Sequence, residues 1–292
     1  MATVSWFAVA ASGGRDTWRK DTPMPTFQRG HTTIAYTDTG APEGREDAPV
    51  VFFAHGLLFS GWMFQHQIEH LRRDYRCVTI DFRGQGNSPR ALGGYDMDTL
   101  TVDVAELLRH LQIPVVNYVG LSMGGFVGMR FAARYPESVH TLTLLDTAAT
   151  AEEPANRIKY TLLSKVYRIA GIRPLRSQVA PIMLAPDNVD APWVEEWMAM
   201  LGRTDRAGLV KAILSVAERD PCEDEAIRII APTLVMVGAQ DAATPPAKSR
   251  RIEELIATTS FHEIPGAGHS PSMERPDEVN AILSAFLSEH TM

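Results

Sequence analysis

Cysteine is nearly absent: Cys77 and Cys222 are the two in 292 residues, and they stand far apart. That excludes a disulfide framework and any Cys/His zinc spacing. Cys77, ahead of a strand-like run, reads as a core thiol, and residence in a reducing cytoplasm is the expectation. No apolar run approaches the ~20 residues of a membrane-spanning helix, so no membrane partner is expected. Basic charge is short as well. Lys and Arg number 28 against 35 Asp and Glu, a formal charge of −7, which speaks against nucleic acid as a partner. Metal-ligand patterns are missing too. His66 and His70 lie four apart on a helical stretch, but no third ligand or H-E-x-x-H pattern accompanies them. No metal and no organic cofactor are expected. No basic stretch precedes the mildly apolar Val4 to Ala11, which argues against a signal peptide. Residues 1–25 read as a leader outside the fold, either disordered or non-native. Nothing in the sequence speaks to oligomeric state.

What is present is a globular composition, 45% hydrophobic, enough for a large core. Apolar β-forming runs at Thr32 to Thr37, Val50 to Ala54, Arg76 to Ile80, Val115 to Val119, Val139 to Leu145, Thr233 to Val237 and Ser260 to Ile264 predict strands. Helical periodicity marks Trp62 to Arg73, Asp98 to Leu111 and Pro276 to Leu287. Strands alternating with helices predict an α/β fold with a doubly wound, mostly parallel sheet. From about Thr150 to Ile230 the alternation stops and amphipathic helical patterns take over, over a span too long for a loop. The expected organisation is a core of residues 26–149 and 231–292 with a helical lid of residues 150–230 over the strands' carboxyl ends. Ile158, Leu162, Leu163 and Val166 form one apolar face of that segment; Trp193, Val194 and Trp197 form another.

The run VVNYVGLSMGGFVGMRFAARY, Val115 to Tyr135, organises the rest. It reads as strand, Gly120-Leu121-Ser122-Met123-Gly124 turn, then helix, the context required of a G-x-S-x-G nucleophile elbow. Glycines flank Ser122 because side chains there would collide across a tight turn, and the helix N-terminus turns amide N–H groups toward charge forming near the hydroxyl. A serine needs a base to take its proton, and the base needs a third group to hold its tautomer. Asp241, after the strand Thr233 to Val237, and His269, after the strand Ser260 to Ile264, both emerge at strand carboxyl ends, where open α/β sheets place ligands. Asp146 is the rival acid and His262 a weaker rival base. His55, Asp81 and Arg83 read as loop-holding residues.

The chain resembles the α/β-hydrolase fold family over roughly residues 25–292. HGLLFSG at His55 to Gly61, DFRGQGNS at Asp81 to Ser88, GLSMGG at Gly120 to Gly125 and GAGHSPSMERPDEV carry the resemblance. It implies Ser122 as nucleophile, Asp241 as acid, His269 as base, and an oxyanion hole from the backbone N–H groups of Leu57 and Met123. It also implies a lid inserted after the sixth strand, with Leu58, Trp193, Trp197 and Met183 as candidates for the substrate pocket. Family members with dehalogenase or epoxide hydrolase activity carry Asp at the elbow; Ser122 points instead to acyl transfer. GLSMGG, LLDTAA, Arg157 to Gly171 and DAATPP resemble 3-oxoadipate enol-lactonases, and carboxylesterases share much of this. The expected activity is therefore hydrolysis of small carboxylic esters or lactones through an acyl-enzyme. Cofactor-free haloperoxidase or perhydrolase and C–C bond hydrolase are the alternative activities within the fold. A non-catalytic ligand-binding member is the alternative of another class; such members often lose a triad residue, and all three are here.

Overall fold

The computed structural model of the protein describes residues 24–290; apart from Met24 and Pro25, the expected leader of residues 1–25 lies outside them. Strand β1 (Thr26–Arg29) turns at Gly30 into β2 (Thr32–Asp38), then β3 (Val50–Ala54) follows. A 3-10 turn at Gly61–Phe64 leads into α1 (Gln65–Leu71), β4 (Arg76–Ile80), α2 (Met97–His110), β5 (Val116–Leu121), α3 (Met123–Arg134) and β6 (Val139–Leu145). Between β6 and the next strand the structure is helical: α4 (Pro154–Ala170), α5 (Arg176–Met183), α6 (Pro192–Arg203), α7 (Arg206–Ala217) and the short α8 (Glu223–Ala226). The chain closes with β7 (Thr233–Gly238), α9 (Pro246–Leu255), β8 (Thr259–Ile264), the short α10 (Pro271–Glu274) and α11 (Pro276–Glu289). Among the described residues no helix is long and apolar enough to cross a membrane.

The eight strands form one sheet in the order β1-β2-β4-β3-β5-β6-β7-β8. β1 and β2 pair antiparallel, as do β2 and β4; every later pairing is parallel. The parallel strands therefore end on one edge, so the loops after β3, β5, β6, β7 and β8 share it. Central strands are buried on both faces, which is why β3 reads Val-Val-Phe-Phe-Ala without alternation. The edge strand β8 instead shows exposed and half-buried positions until Ile264. Tyr118 on β5 stacks on Phe131 of α3 at 5.8 Å between ring centroids. Its hydroxyl donates to the Gly124 carbonyl at 2.9 Å, which ties the first turn of α3 to the strand beneath it.

Two expectations are corrected. Sequence alone shows no strand before Thr32, yet β1 forms there by pairing with β2 across a turn in which Gly30 takes φ 57°; a short edge strand carries too little periodicity to announce itself. The apolar face assigned to α4 is also rotated. Ile158, Leu162 and Val166 are 68%, 56% and 44% exposed. The inward face is Tyr160, Leu163, Ser164 and Tyr167, which sit at helical spacing and are half-buried or buried.

Candidate active site

Ser122 caps α3 with φ 53° and ψ −112°, a region that costs a residue with a side chain roughly 1–3 kcal/mol. The turn is over-determined by its surroundings. Ser122 N–H donates to the Leu145 carbonyl at 2.9 Å, and the Ser122 carbonyl accepts from Gly125, Phe126 and the Thr147 hydroxyl. A Cβ at Gly120 would stand 2.4 Å from the Gly124 carbonyl oxygen, and one at Gly124 would stand 2.0 Å from that of Ala54. Only glycine closes this turn. The backbone of Ser122 is thus fully held, while its hydroxyl makes no hydrogen bond among the described residues and lines a cavity shared with His269.

His269, on the loop after β8, is buried, and its Nδ1 lies 2.9 Å from Asp241 Oδ2. Asp241 is itself fixed: Oδ1 accepts from the N–H groups of Ala243 and Thr244, and Oδ2 from the Thr244 hydroxyl at 2.9 Å. Burial alone would raise the Asp241 pKa, but the His269 charge and the hydrogen bonds from His269, Thr244 and Asp146 outweigh it and hold the carboxylate below its ordinary value. Asp146, the rival acid after β6, lies against this pair, with one oxygen of each carboxylate and one His269 nitrogen within 4.8 Å of one another. It is wholly buried; its Oδ1 accepts from Gly238 N–H at 2.8 Å, and its Oδ2 has no further partner among the described residues. Burial, then the neighbouring charge of Asp241, pushes its pKa well above the ordinary value. Asp146 thus favours the protonated form, which can donate to Asp241, and Asp241 is the carboxylate in contact with the imidazole. His262 sits exposed on β8, away from the cavity lining.

The loop after β3 brings Leu57 to the other side of Ser122: a Cβ at Gly56 would stand 3.4 Å from Ser122 Cβ. Neither the Leu57 N–H nor the Met123 N–H is spent on a hydrogen bond among the described residues. His55 holds this loop, with Nδ1 2.7 Å from the Gly56 carbonyl and Nε2 accepting from Phe82 N–H. Burial lowers its pKa, which favours the neutral ring this bonding requires. Asp81 accepts from Gly61 and Asn87, and Arg83 makes a two-pronged ion pair with Asp103. All three bind backbone or partner side chains rather than the serine hydroxyl. His66 and His70 line a separate surface groove with Glu69 and Asp277, and His70 Nε2 lies 2.9 Å from the Ser284 hydroxyl.

The family pattern described as alpha/beta hydrolase fold matches residues 49–276. The chain belongs to the α/β-hydrolase fold family. This α/β-hydrolase is 30% identical over 246 residues to 3-oxoadipate enol-lactonase 2 of Acinetobacter baylyi, covering 84% of this chain and 90% of that one. Among solved structures it resembles the enol-lactonase from Burkholderia xenovorans LB400, with TM-score 0.83, 27% identity, and 90% and 100% of the two chains covered. It also resembles a thermophilic esterase from Thermogutta terrifontis, with TM-score 0.82, 28% identity, and 92% and 98% covered.

In this α/β-hydrolase the cavity over Ser122 is lined by Leu58 and Met183, together with Phe126, Tyr160, Val179 and Arg219. Trp193 and Trp197 are corrected: neither lines it. Trp197 is fully buried, stacks on Phe59 at 4.9 Å, and its Nε1–H donates to the Leu58 carbonyl at 2.8 Å. It pins the loop that carries Leu57 and Leu58 instead of facing a substrate. Trp193 packs near Trp62, at 6.4 Å. Sequence reasoning missed Thr244, three residues after Asp241, although a hydroxyl placed there in DAATPP is a signal for an Asp-anchored turn. It also missed Glu274. That carboxylate accepts from Gly268 and Ser270 on either side of His269, and from Ala185 N–H and Asn188 after α5. The helices before β7 are thereby fastened to the histidine loop. Tyr160 and Arg219 carried no motif signal, because they meet only when α4 folds over α7.

Proposed function

We propose that this α/β-hydrolase is a serine hydrolase of small carboxylic esters or lactones, working through an acyl-enzyme. The observation that carries the reading is one constellation: a strained Ser122 with a free hydroxyl, the His269–Asp241 contact of 2.9 Å, and two unspent N–H groups at Leu57 and Met123. In the proposed first step His269 takes the Ser122 proton as Oγ bonds to the carbonyl carbon. The charge on the carbonyl oxygen is met by the two backbone donors; losing one such donor typically costs about 2.7–4 kcal/mol of barrier stabilisation. The imidazolium, held by Asp241, then protonates the departing oxygen as the C–O bond breaks. Water repeats the sequence on the acyl-enzyme, releasing the acid and restoring Ser122. With a lactone, the departing oxygen stays tethered and the ring opens.

The Acinetobacter relative named a 3-oxoadipate enol-lactonase and the Burkholderia structure named an enol-lactonase support a lactone substrate, and the Thermogutta relative supports an ester. We read residues 150–230 as the lid that closes the cavity over Ser122 and so selects the substrate, since Tyr160, Leu163, Val179 and Met183 all line it. The test is a panel of p-nitrophenyl esters and lactones given to the purified protein, with a serine-directed phosphonate and mass mapping in parallel. The reading expects ester or lactone turnover and a label on Ser122. Turnover that survives Ser122→Ala would overturn it.

A further inference from the structure

Away from Ser122, His269 and Thr244 the cavity wall is mostly apolar, with polar groups at Glu152, Tyr160, Tyr167 and Arg219. Most of its polar groups are already spent. The Tyr167 hydroxyl donates to the Leu201 carbonyl, and Thr244 serves Asp241. Two groups outside the triad are different. The Tyr160 hydroxyl, on the inner face of α4, has no hydrogen-bond partner among the described residues, and Tyr160 lines the cavity. Arg219, just after α7, lines the same cavity with its side chain only 3% exposed, and its Nε–H is likewise without a partner. The rest of its guanidinium is anchored: Nη1 donates to Glu152 Oε2 and the Val216 carbonyl at 2.9 Å each, and Nη2 to the Thr150 carbonyl. The guanidinium carbon lies 4.2 Å over the Phe126 ring, on α3 beyond Ser122. Burial pushes the Tyr160 phenol up to about 12, so it stays protonated and keeps its O–H to donate.

A buried donor without a partner is costly, and a site built around one rejects ligands that cannot satisfy it. Glu152 sets the charge. It pairs with Arg219 while its other oxygen accepts from Glu153 N–H and Asn156, and these bonds hold its pKa down against the opposing effect of burial. The Tyr160–Arg219 corner thus offers donors but no net positive charge.

We propose that Tyr160 Oη–H and Arg219 Nε–H form an acceptor subsite that selects esters carrying an uncharged oxygen acceptor, such as a ketone or ether, in the chain beyond the scissile carbonyl. The proposal rests on the serine-hydrolase reading and deepens it. An enol-lactone made from a dicarboxylate keeps one free carboxylate, which would meet Glu152 at this corner; the subsite favours neutral substrates over that one.

The experiment compares kcat/KM for p-nitrophenyl 4-oxopentanoate, p-nitrophenyl pentanoate and the monoanionic p-nitrophenyl glutarate. A second pair, 4-acetoxybutan-2-one and pentyl acetate, places the ketone on the alcohol side. The expected result is a preference of ~10-fold or more for the oxo ester in at least one pair, with the anion no better than the alkyl ester. Tyr160→Phe keeps the ring and removes the donor. Arg219→Lys keeps a cation for Glu152 and removes Nε–H. Each should shrink the oxo-to-alkyl ratio several-fold, while Ile169→Ala, on the exposed face of α4, should not. Retained phosphonate labelling of Ser122 reports that the variants are folded. Equal rates within both pairs, or a preferred anion, would overturn the subsite and leave the hydrolase reading standing. No ester turnover and no label on Ser122 would overturn both.

Discussion

On the proposed mechanism Ser122 carries the chemistry on its hydroxyl and the strain in its backbone, and the two can be separated by substitution. Ser122→Ala should lower kcat/KM by roughly 10⁴-fold or more without relieving the backbone, since alanine keeps the Cβ. Ser122→Gly should be equally inactive yet more stable by about 1 kcal/mol, the strain released less the entropy glycine loses. Denaturant unfolding beside turnover measures both. The two acids separate in the same way. Asp241→Asn should cost roughly 10⁴-fold, because the wrong imidazole tautomer is then held. Asp146→Asn should retain most activity, because its amide can donate to Asp241 while its oxygen accepts from Gly238. The pH dependence has a definite sign. Asp146 has a raised pKa in the folded protein, so its contribution to stability is fully present below the ordinary carboxylate range and is lost as pH rises toward that raised value. The Tm of Asp146→Asn relative to the parent should therefore climb from acid to neutral pH. If Asp146→Asn proves the more damaging to turnover, the roles of the two acids are reversed.

At the scale of elements, helices between β6 and β7 act on the site through a few fastenings. Trp197 on α6 holds the Leu58 carbonyl, so Trp197→Phe should lower kcat more than it raises KM, through a looser Leu57 N–H. Trp197→Ala adds a cavity and should cost about 3–5 kcal/mol of stability. Met183 lines the cavity over Ser122; if that cavity takes the acyl chain as proposed, Met183→Ala should shift acyl-chain preference by about 10–200-fold with little loss on the favoured ester. A chain-length profile left unchanged would remove Met183 from specificity. Glu274→Gln replaces an acceptor oxygen with an NH₂ facing donors from Gly268 and Ser270 or from Ala185 and Asn188. It should destabilise the protein by about 1–3 kcal/mol and lower kcat. The misassigned face of α4 belongs to this scale too. Apolar residues recur on more than one side of that helix, and only packing against α7 decided that Tyr160, Leu163 and Tyr167 turn inward.

For the molecule as a whole, the proposed mechanism draws nucleophile, proton transfer and charge stabilisation from serine, histidine, aspartate and two backbone donors alone, so activity is expected to survive EDTA undiminished; loss with EDTA and rescue by zinc would contradict this. The sequence by itself determined the parallel core, because buried central strands must be continuous apolar runs and Val50–Ala54, Arg76–Ile80 and Val139–Leu145 appear at their observed bounds. It also marked Ser122, because the elbow is a local motif whose glycines are demanded by contacts within the turn and with the adjacent strand. Asp241 and His269 were legible as residues just past strand ends, a position that parallel topology turns into proximity. Only the tertiary structure decided which acid bonds the imidazole, since Asp146 and Asp241 both follow strands and differ in burial and hydrogen-bond partners. Only it decided the cavity lining as well. Trp197 and Arg219 are far from Ser122 along the chain, and whether such a side chain pins a loop or faces a substrate depends on helix rotation and helix–helix packing. Those are set by the fit of many side chains at once, and no short stretch of sequence encodes them.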